Sequence, residues 1–161
     1  MTETGMTQTV MSKLADQYEA ATNTFLEVAE GLTDQELDKA PIGEWSPRQI
    51  IHHMAHADAY CLTRIIQVLS EPGTSIRSFS EEALVSSRVL AYSTTPIASS
   101  IALFKATRTE TLRLLRSLGD EDLVRTCNHS ALGEISMEAM VLRFTDHPIG
   151  HAQQILDTKS L

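Results

Sequence analysis

The chain has 161 residues, 42% of them hydrophobic, and 13 basic against 21 acidic side chains give a formal net charge of −8. That length fits one domain, residues 1–161, able to bury a core unaided. The acidic balance argues against a nucleic-acid surface, which gathers Lys and Arg on one face. No apolar run approaches the roughly 20 residues of a membrane span, and the polar residues 1–10 do not read as a secretory signal. A cytoplasmic protein with no membrane or nucleic-acid partner is expected. Cys61 and Cys127 have neither ligand spacing nor the density of a disulfide framework, so both are expected as reduced thiols, Cys61 in the core.

Val10, Leu14, Tyr18, Ala21, Phe25, Val28 and Leu32 recur at steps of three and four, which predicts a first amphipathic helix. Thr33 and Glu36 have capping-box spacing, predicting a short helical turn over 34–39 before the chain breaks at Pro41 and Gly43. Ser46-Pro47 places an N-cap residue before proline at the first helical position and opens a second long helix over 47–69. Glu71-Pro72-Gly73 stops it, and 74–79 reads as turn. Ser78 and Glu81 suggest a shorter helix over 79–91. Thr95-Pro96 opens a third long helix with a stripe of Ile97, Ile101, Phe104, Leu112 and Leu115, ending at Leu118-Gly119. Residues 120–135 are mixed, and the short stretches Cys127-Asn128-His129 and Leu132-Gly133 read as loop, with His129 in it. Ser136 caps a last helix carrying Met137, Met140, Phe144 and Ile155. With no convincing alternating strand, no internal repeat and no low-complexity segment, the expectation is an all-α four-helix bundle with additional short helices.

Five of the six histidines fall in two clusters, His52-His53-Met-Ala-His56 and His147-Pro-Ile-Gly-His151, each inside a predicted long helix. Residues four apart on a helix are neighbours, so His147 and His151 can face one ion. Both project within the arc of the last helix's buried stripe. Unpartnered buried imidazoles are costly, which leaves two readings of the pair, hydrogen bonding to polar side chains or metal coordination. In the second helix His53 lies on the near edge of the stripe of Ile50, Met54, Cys61, Ile65 and Val68, and is the third candidate ligand. His52 and His56 project the other way and read as surface residues. Three imidazoles would leave the fourth position of a tetrahedral ion open. Asp58 and Asp146 are candidates for orienting a ligand imidazole. Pro148 should kink or widen the last helix.

The string from Trp45-Ser46-Pro47 through His52-His53-Met54-Ala55, followed by His147-Pro-Ile-Gly-His151-Ala-Gln-Gln154, resembles the DinB-like superfamily and, more narrowly, its YfiT-like branch. The resemblance runs from about Met11 to Leu156. It implies a helical bundle with a three-histidine metal site made of His53, His147 and His151, in which a tryptophan eight residues before the first ligand opens the second helix. It also implies that Gln154 touches the site. Many relatives carry Asp three residues after the first ligand, where this chain has His56, a position in the substrate pocket or beside the ligands. Members are described as metal-dependent hydrolases, and some transfer a low-molecular-weight thiol such as bacillithiol or mycothiol to an electrophile.

Two enzymatic mechanisms follow for one divalent ion, with zinc or nickel suited to imidazole ligands. Either water or a thiol takes the open position, loses its proton and attacks a small-molecule substrate. Resemblance alone tips the expectation towards thiol transfer. No Asp or Glu can be nominated as general base from the sequence. The non-enzymatic alternative is a helical binding or scaffold protein in which the ion only fastens the second helix to the last. The Ala, Ser and Thr positions after Pro96 leave room for a homodimer.

Overall fold

Five helices and a small sheet follow one another along residues 8–159, the part of the chain that the computed structural model describes. Residues 1–7, most of the segment considered for a secretory signal, lie outside it. Thr9 caps α1 (Val10–Glu30) by accepting the Ser12 N–H at 3.1 Å, and the helix buries Met11, Leu14, Tyr18, Ala21 and Phe25 along one stripe. The capping box at Thr33 forms, with the Glu36 carboxylate accepting the Thr33 N–H at 2.8 Å, but its segment stays a turn and does not become a helix. Ser46 and Gln49 make a reciprocal capping box at the start of α2 (Pro47–Ser70), with Pro47 in the first turn where its missing N–H costs nothing.

The other two long helices are α4 (Ala98–Arg116) and α5 (Met137–Lys159). Around the bundle α1 packs on α5, α5 on α2, α2 on α4, and α4 back on α1. The consecutive helices α1 and α2 therefore stand across from one another, and α2 is flanked by α4 and α5. This arrangement sets the N-terminal half of α2 against the C-terminal half of α5.

Three expectations need correcting. Residues 75–76, 126–129 and 133–136 are not turn and loop: they form a three-stranded sheet of β1 (Ser75–Ile76), β2 (Thr126–His129) and β3 (Gly133–Ser136). β1 runs parallel to β2, with Ser75 opposite Asn128, and β2 runs antiparallel to β3, with Cys127 opposite Ile135. His129 is thus a strand residue. Strands of two to four residues are too short to display the alternation that would reveal them. Next, the short helix α3 covers only Glu81–Val85 and is capped by Ser80. Ser78, the expected cap, instead donates its N–H to Ser130 Oγ in the β2–β3 turn at 2.9 Å and pairs its hydroxyl with the same oxygen at 3.1 Å. Last, α4 begins at Ala98 without a side-chain cap. Ile97, already in helical conformation, takes the cap position, and the Thr95 hydroxyl instead donates to the Ala91 carbonyl at 2.9 Å.

A guanidinium locks the four long helices together. Arg108 on α4 is 1% exposed and donates to Thr22 Oγ1 (2.7 Å) and the Tyr18 carbonyl (3.0 Å) on α1, to Asp58 on α2 (3.2 Å) and to the Phe144 carbonyl on α5 (2.8 Å). It also lies 3.5 Å over the Tyr18 ring. The Phe144 bond explains how α5 runs unbroken through Pro148. In an α-helix residue 148 would donate to the carbonyl of residue 144, and proline has no N–H to give. Arg108 supplies the donor that Pro148 lacks, one residue from His147. Among the described residues no helix is long and apolar enough to cross a membrane.

Candidate metal centre

The α2 residue His53 is fully buried, and its Nε2 lies 3.3 Å from Nε2 of His147 on α5. One turn further along α5, His151 Nε2 lies 3.0 Å from the same His147 atom. The three ligand-capable nitrogens fall within 4.8 Å of one another. Trp45, just before α2, closes one side: its ring stacks on His151 at 6.3 Å and lies tilted on His53 at 5.1 Å. Its physical role as a wall was not visible in the sequence.

Imidazole chemistry decides whether this arrangement is satisfied without an ion. His151 Nδ1 donates to Gln154 Oε1 at 2.9 Å, which leaves a lone pair on its Nε2. His147 Nε2 faces both other rings. If it carries a proton it can donate to one of them; if it does not, it meets the His151 lone pair with one of its own. Either way, no more than one of the two close contacts can be a well-directed hydrogen bond. The Nδ1 of His53 is buried with no hydrogen-bond partner. The two close separations, 3.0 and 3.3 Å, match the edges, about 3.3 Å, of a tetrahedron around an ion some 2.0–2.1 Å from each nitrogen, and the third lies within 4.8 Å. The residues fit a divalent metal.

Electrostatics favour the neutral, ligating form. Burial, followed by the neighbouring His151 and His147, pushes His53 down to about 3. Burial, followed by His151, Arg108 and Arg143, brings His147 down to about 4. Burial also lowers His151, against the opposing pull of Gln154 and Glu81. Rings held neutral need not lose a proton before accepting a cation.

The other singled-out residues sort differently. Gln154 touches the site through His151. Asp58 orients no ligand imidazole: it is spent on Arg108 in the core, where burial raises its carboxyl and Arg108 holds it back. Asp146 is exposed and hydrogen-bonds none of the three histidines among the described residues, although it lines the adjoining cavity. His52 and His56 are not surface residues. His52 is 2% exposed, with Nε2–H donating to the Thr95 carbonyl (2.9 Å) and Nδ1 accepting from the Ser100 hydroxyl (2.7 Å). His56 is half-buried against the Tyr92 hydroxyl. The face expected to meet solvent is covered by α4 and by the chain between α3 and α4, which a single-stripe reading of α2 does not anticipate.

His147 and His151 open onto a cavity of about 640 Å3, within the usual range for small-molecule sites. Its walls come from α2, α5, the start of α3 and the sheet. Cys61 lines it as a thiol whose protonated form burial favours strongly. Both cysteines are free, and Cys61 belongs to the buried core. The cavity residues Arg64, Arg143 and His129 escaped the sequence reading. The signal was absent, because the sheet that brings His129 to the cavity was itself unseen.

The structure thus defines a helical bundle with an imidazole cluster two of whose members, His147 and His151, line a cavity. The chain belongs to the DinB superfamily, whose family profile matches residues 17–155. A protein of Bacillus cereus (strain 03BB102) named "Putative metal-dependent hydrolase" is 25% identical over 151 residues, covering 93% of this chain and 86% of that one. One from Bacillus mycoides (strain KBAB4) with the same description is 24% identical over 151 residues, with the same coverage. Among solved structures, YfiT from Bacillus subtilis, described as a probable metal-dependent hydrolase with an unusual four-helix bundle topology, superposes with a TM-score of 0.78 at 24% identity, covering 96% of this chain and 90% of YfiT. A conserved protein from Enterococcus faecalis reaches 0.56 at 16% identity, covering 94% and 96%. These likenesses establish the fold as the YfiT type of four-helix bundle.

Proposed function

We propose that the protein is a metal-dependent enzyme of the hydrolase type named for its relatives, with His53, His147 and His151 holding one divalent ion, zinc or nickel by the preference of imidazole donors. The observation that carries this reading is the convergence of three Nε2 atoms, at 3.0 and 3.3 Å along its two close edges, beside an open cavity. An ion fastening helices in a scaffold has no need of such a cavity. When bound, the metal supplies Lewis acidity to a fourth ligand, water or thiol. The chain's own contributions are specific. Gln154 fixes His151 in the tautomer that presents Nε2. Trp45 excludes water from one side of His53 and His151. The Arg108–Phe144 bond steadies the proline turn of α5 that carries His147.

Thiol transfer is the second reading, supported by the thiol transferases among the members of the superfamily that the sequence resembles and by a cavity beside His147 and His151 that has room for a small thiol. A water nucleophile would draw on a general base, for which Glu81 and Asp146 line the cavity, whereas a thiol deprotonates closer to neutrality on its own. Protein purified without a histidine tag, loaded with zinc or nickel and assayed on aryl esters and on thiols with model electrophiles, separates the readings. Ester turnover without added thiol supports hydrolysis. Turnover only with thiol supports transfer. Absence of a stoichiometric metal by elemental analysis removes both.

A further inference from the structure

We propose that the cavity contains an anion subsite formed by Arg64, Arg143 and His129, so that the substrate carries a carboxylate or phosphate group. The proposal rests on the reading of this cavity as the substrate site and adds what that site selects.

The three residues come from three separate elements, α2, α5 and β2, and line the same cavity as His147 and His151. Their charges meet there: the two guanidiniums both act on the His129 ring, adding to burial in keeping it neutral. Arg64 is held in place. Its Nη2 donates to the Arg77 carbonyl at 2.9 Å, and its guanidinium carbon lies 5.2 Å from the centre of the Phe79 ring, itself stacked on Tyr60 at 4.6 Å. The remaining N–H groups of Arg64 are not taken by any carboxylate among the described residues. Arg143 likewise makes no ion pair there, although Glu81 and Asp146 line the same cavity. His129 Nδ1 accepts the Ala131 N–H at 3.2 Å, which leaves its proton on Nε2 as a third donor.

This pattern runs against the composition. Carboxylates outnumber basic groups 21 to 13 in the chain, and Arg48, Arg108, Arg113, Arg116 and Arg125 each have a carboxylate partner; of the other arginines, Arg77 and Arg88 lie outside the cavity and Arg64 and Arg143 line it. Two guanidiniums left open in one concave site focus positive potential there, while the acidic remainder of the molecule repels anions elsewhere. A guanidinium presents paired donors that match the two oxygens of a carboxylate or phosphate; Arg64 and His129 are half-buried, which strengthens such a bond, while Arg143 is exposed at the rim.

The test uses the full untagged chain, both freed of metal with EDTA and dialysed, and reloaded with zinc. Three probes share one ring: benzoate, phenyl phosphate and neutral benzamide. We expect the better anion to bind the metal-free chain at least tenfold more tightly than benzamide, and the tighter of the two anions identifies the group as carboxylate or phosphate. R64Q and R143Q should each weaken anion binding about tenfold without changing benzamide binding, while R88Q, which removes the same charge from an exposed position outside the cavity, leaves both unchanged. Circular dichroism checks that each variant is folded. A bound anion should also raise the titration midpoint of His129 followed by NMR. Anions that bind the metal-free chain no better than benzamide, or bind R64Q and R143Q as well as wild type, overturn the subsite. An anion preference seen only with zinc present overturns it too, because the ion is then reading the charge. Failure of the chain to take up zinc defeats the proposed function but leaves the metal-free comparison of benzoate with benzamide intact.

Discussion

α2 carries two buried histidines side by side, and the difference between them lies in their partners, not their burial. His52 is 2% exposed and His53 0%. His52 meets oxygen on both ring nitrogens, a hydroxyl that donates and a carbonyl that accepts, so the neutral ring is fully satisfied. His53 meets another imidazole through Nε2 and nothing through Nδ1. A satisfied ring cross-links helices; a ring facing other rings asks for a cation. Burial alone would have grouped the two, and the donor–acceptor inventory separates them.

The largest effects should come from breaking the unsatisfied side. Replacing His53, His147 or His151 by Ala removes one of three direct ligands, and each loss should weaken zinc binding by more than the roughly 10–100-fold typical for losing a group that only orients a ligand. Competition against a chromophoric chelator measures it. Wild-type affinity in any one of the three variants would strike that residue from the site. His52→Ala should do the reverse. It strips partners from the Ser100 hydroxyl and the Thr95 carbonyl and leaves a void between α2 and α4, costing about 2–4 kcal/mol in urea unfolding. Zinc affinity should stay within a few-fold of wild type. A His52→Ala chain with unchanged stability and lost metal would reverse the assignment of the two rings.

How much of this contrast could be read before the structure follows from the physics of each signal. The four long helices were legible because their apolar spacing repeats over 19–24 residues, and Ser46-Pro47 marked the start of α2 to the residue. The gathering of His53 with His147 and His151 was legible through the i, i+4 spacing and the resemblance to the superfamily. The environment of His52 was not: a helical wheel shows which face is most apolar, but not that α4 and the chain before it bury a second, polar face through hydrogen bonds to Ser100 and Thr95. Arg108 was invisible for a related reason. A charged residue in an amphipathic helix reads as solvent-facing, and only the fold brings Tyr18, Asp58 and Phe144 around it. The sheet was missed because its strands span two to four residues each, and with it went the wall that carries His129.

A smaller effect sharpens the comparison from the ligand side. Gln154 gives His151 what Ser100 and Thr95 give His52, an oxygen partner that fixes the tautomer. Gln154→Ala should weaken zinc about tenfold, the low end of the range for orienting groups, while Gln154→Glu, which keeps the acceptor, should retain most of the affinity. Equal losses in the two variants would mean that Gln154 acts by packing and not through its hydrogen bond.

The smallest effect is the acid response of the metal-free chain. His147 in the fold sits at about 4, below the ordinary 6.5 or so of an unfolded histidine, chiefly through burial, with His151, Arg108 and Arg143 adding like charge. Between those two values the unfolded chain holds a proton that the native ring does not, so stability falls as pH falls. The contribution of His147 is therefore complete above about pH 6.5 and is lost progressively as the pH approaches 4. His53, at about 3, has the same sign. The carboxylates titrate in the same region, and Asp58, raised by burial, pulls the other way, so the absolute curve cannot isolate the histidines. A difference can. In EDTA-treated, dialysed protein, the drop in melting temperature from pH 7.5 to pH 5 should be a few degrees smaller for His147→Gln than for wild type, since the variant has no ring to protonate on unfolding and every carboxylate is common to both. Equal drops would show that His147 titrates normally in the native state, and with it that the imidazole cluster is more open to water than the packing of Trp45, His53 and His151 implies.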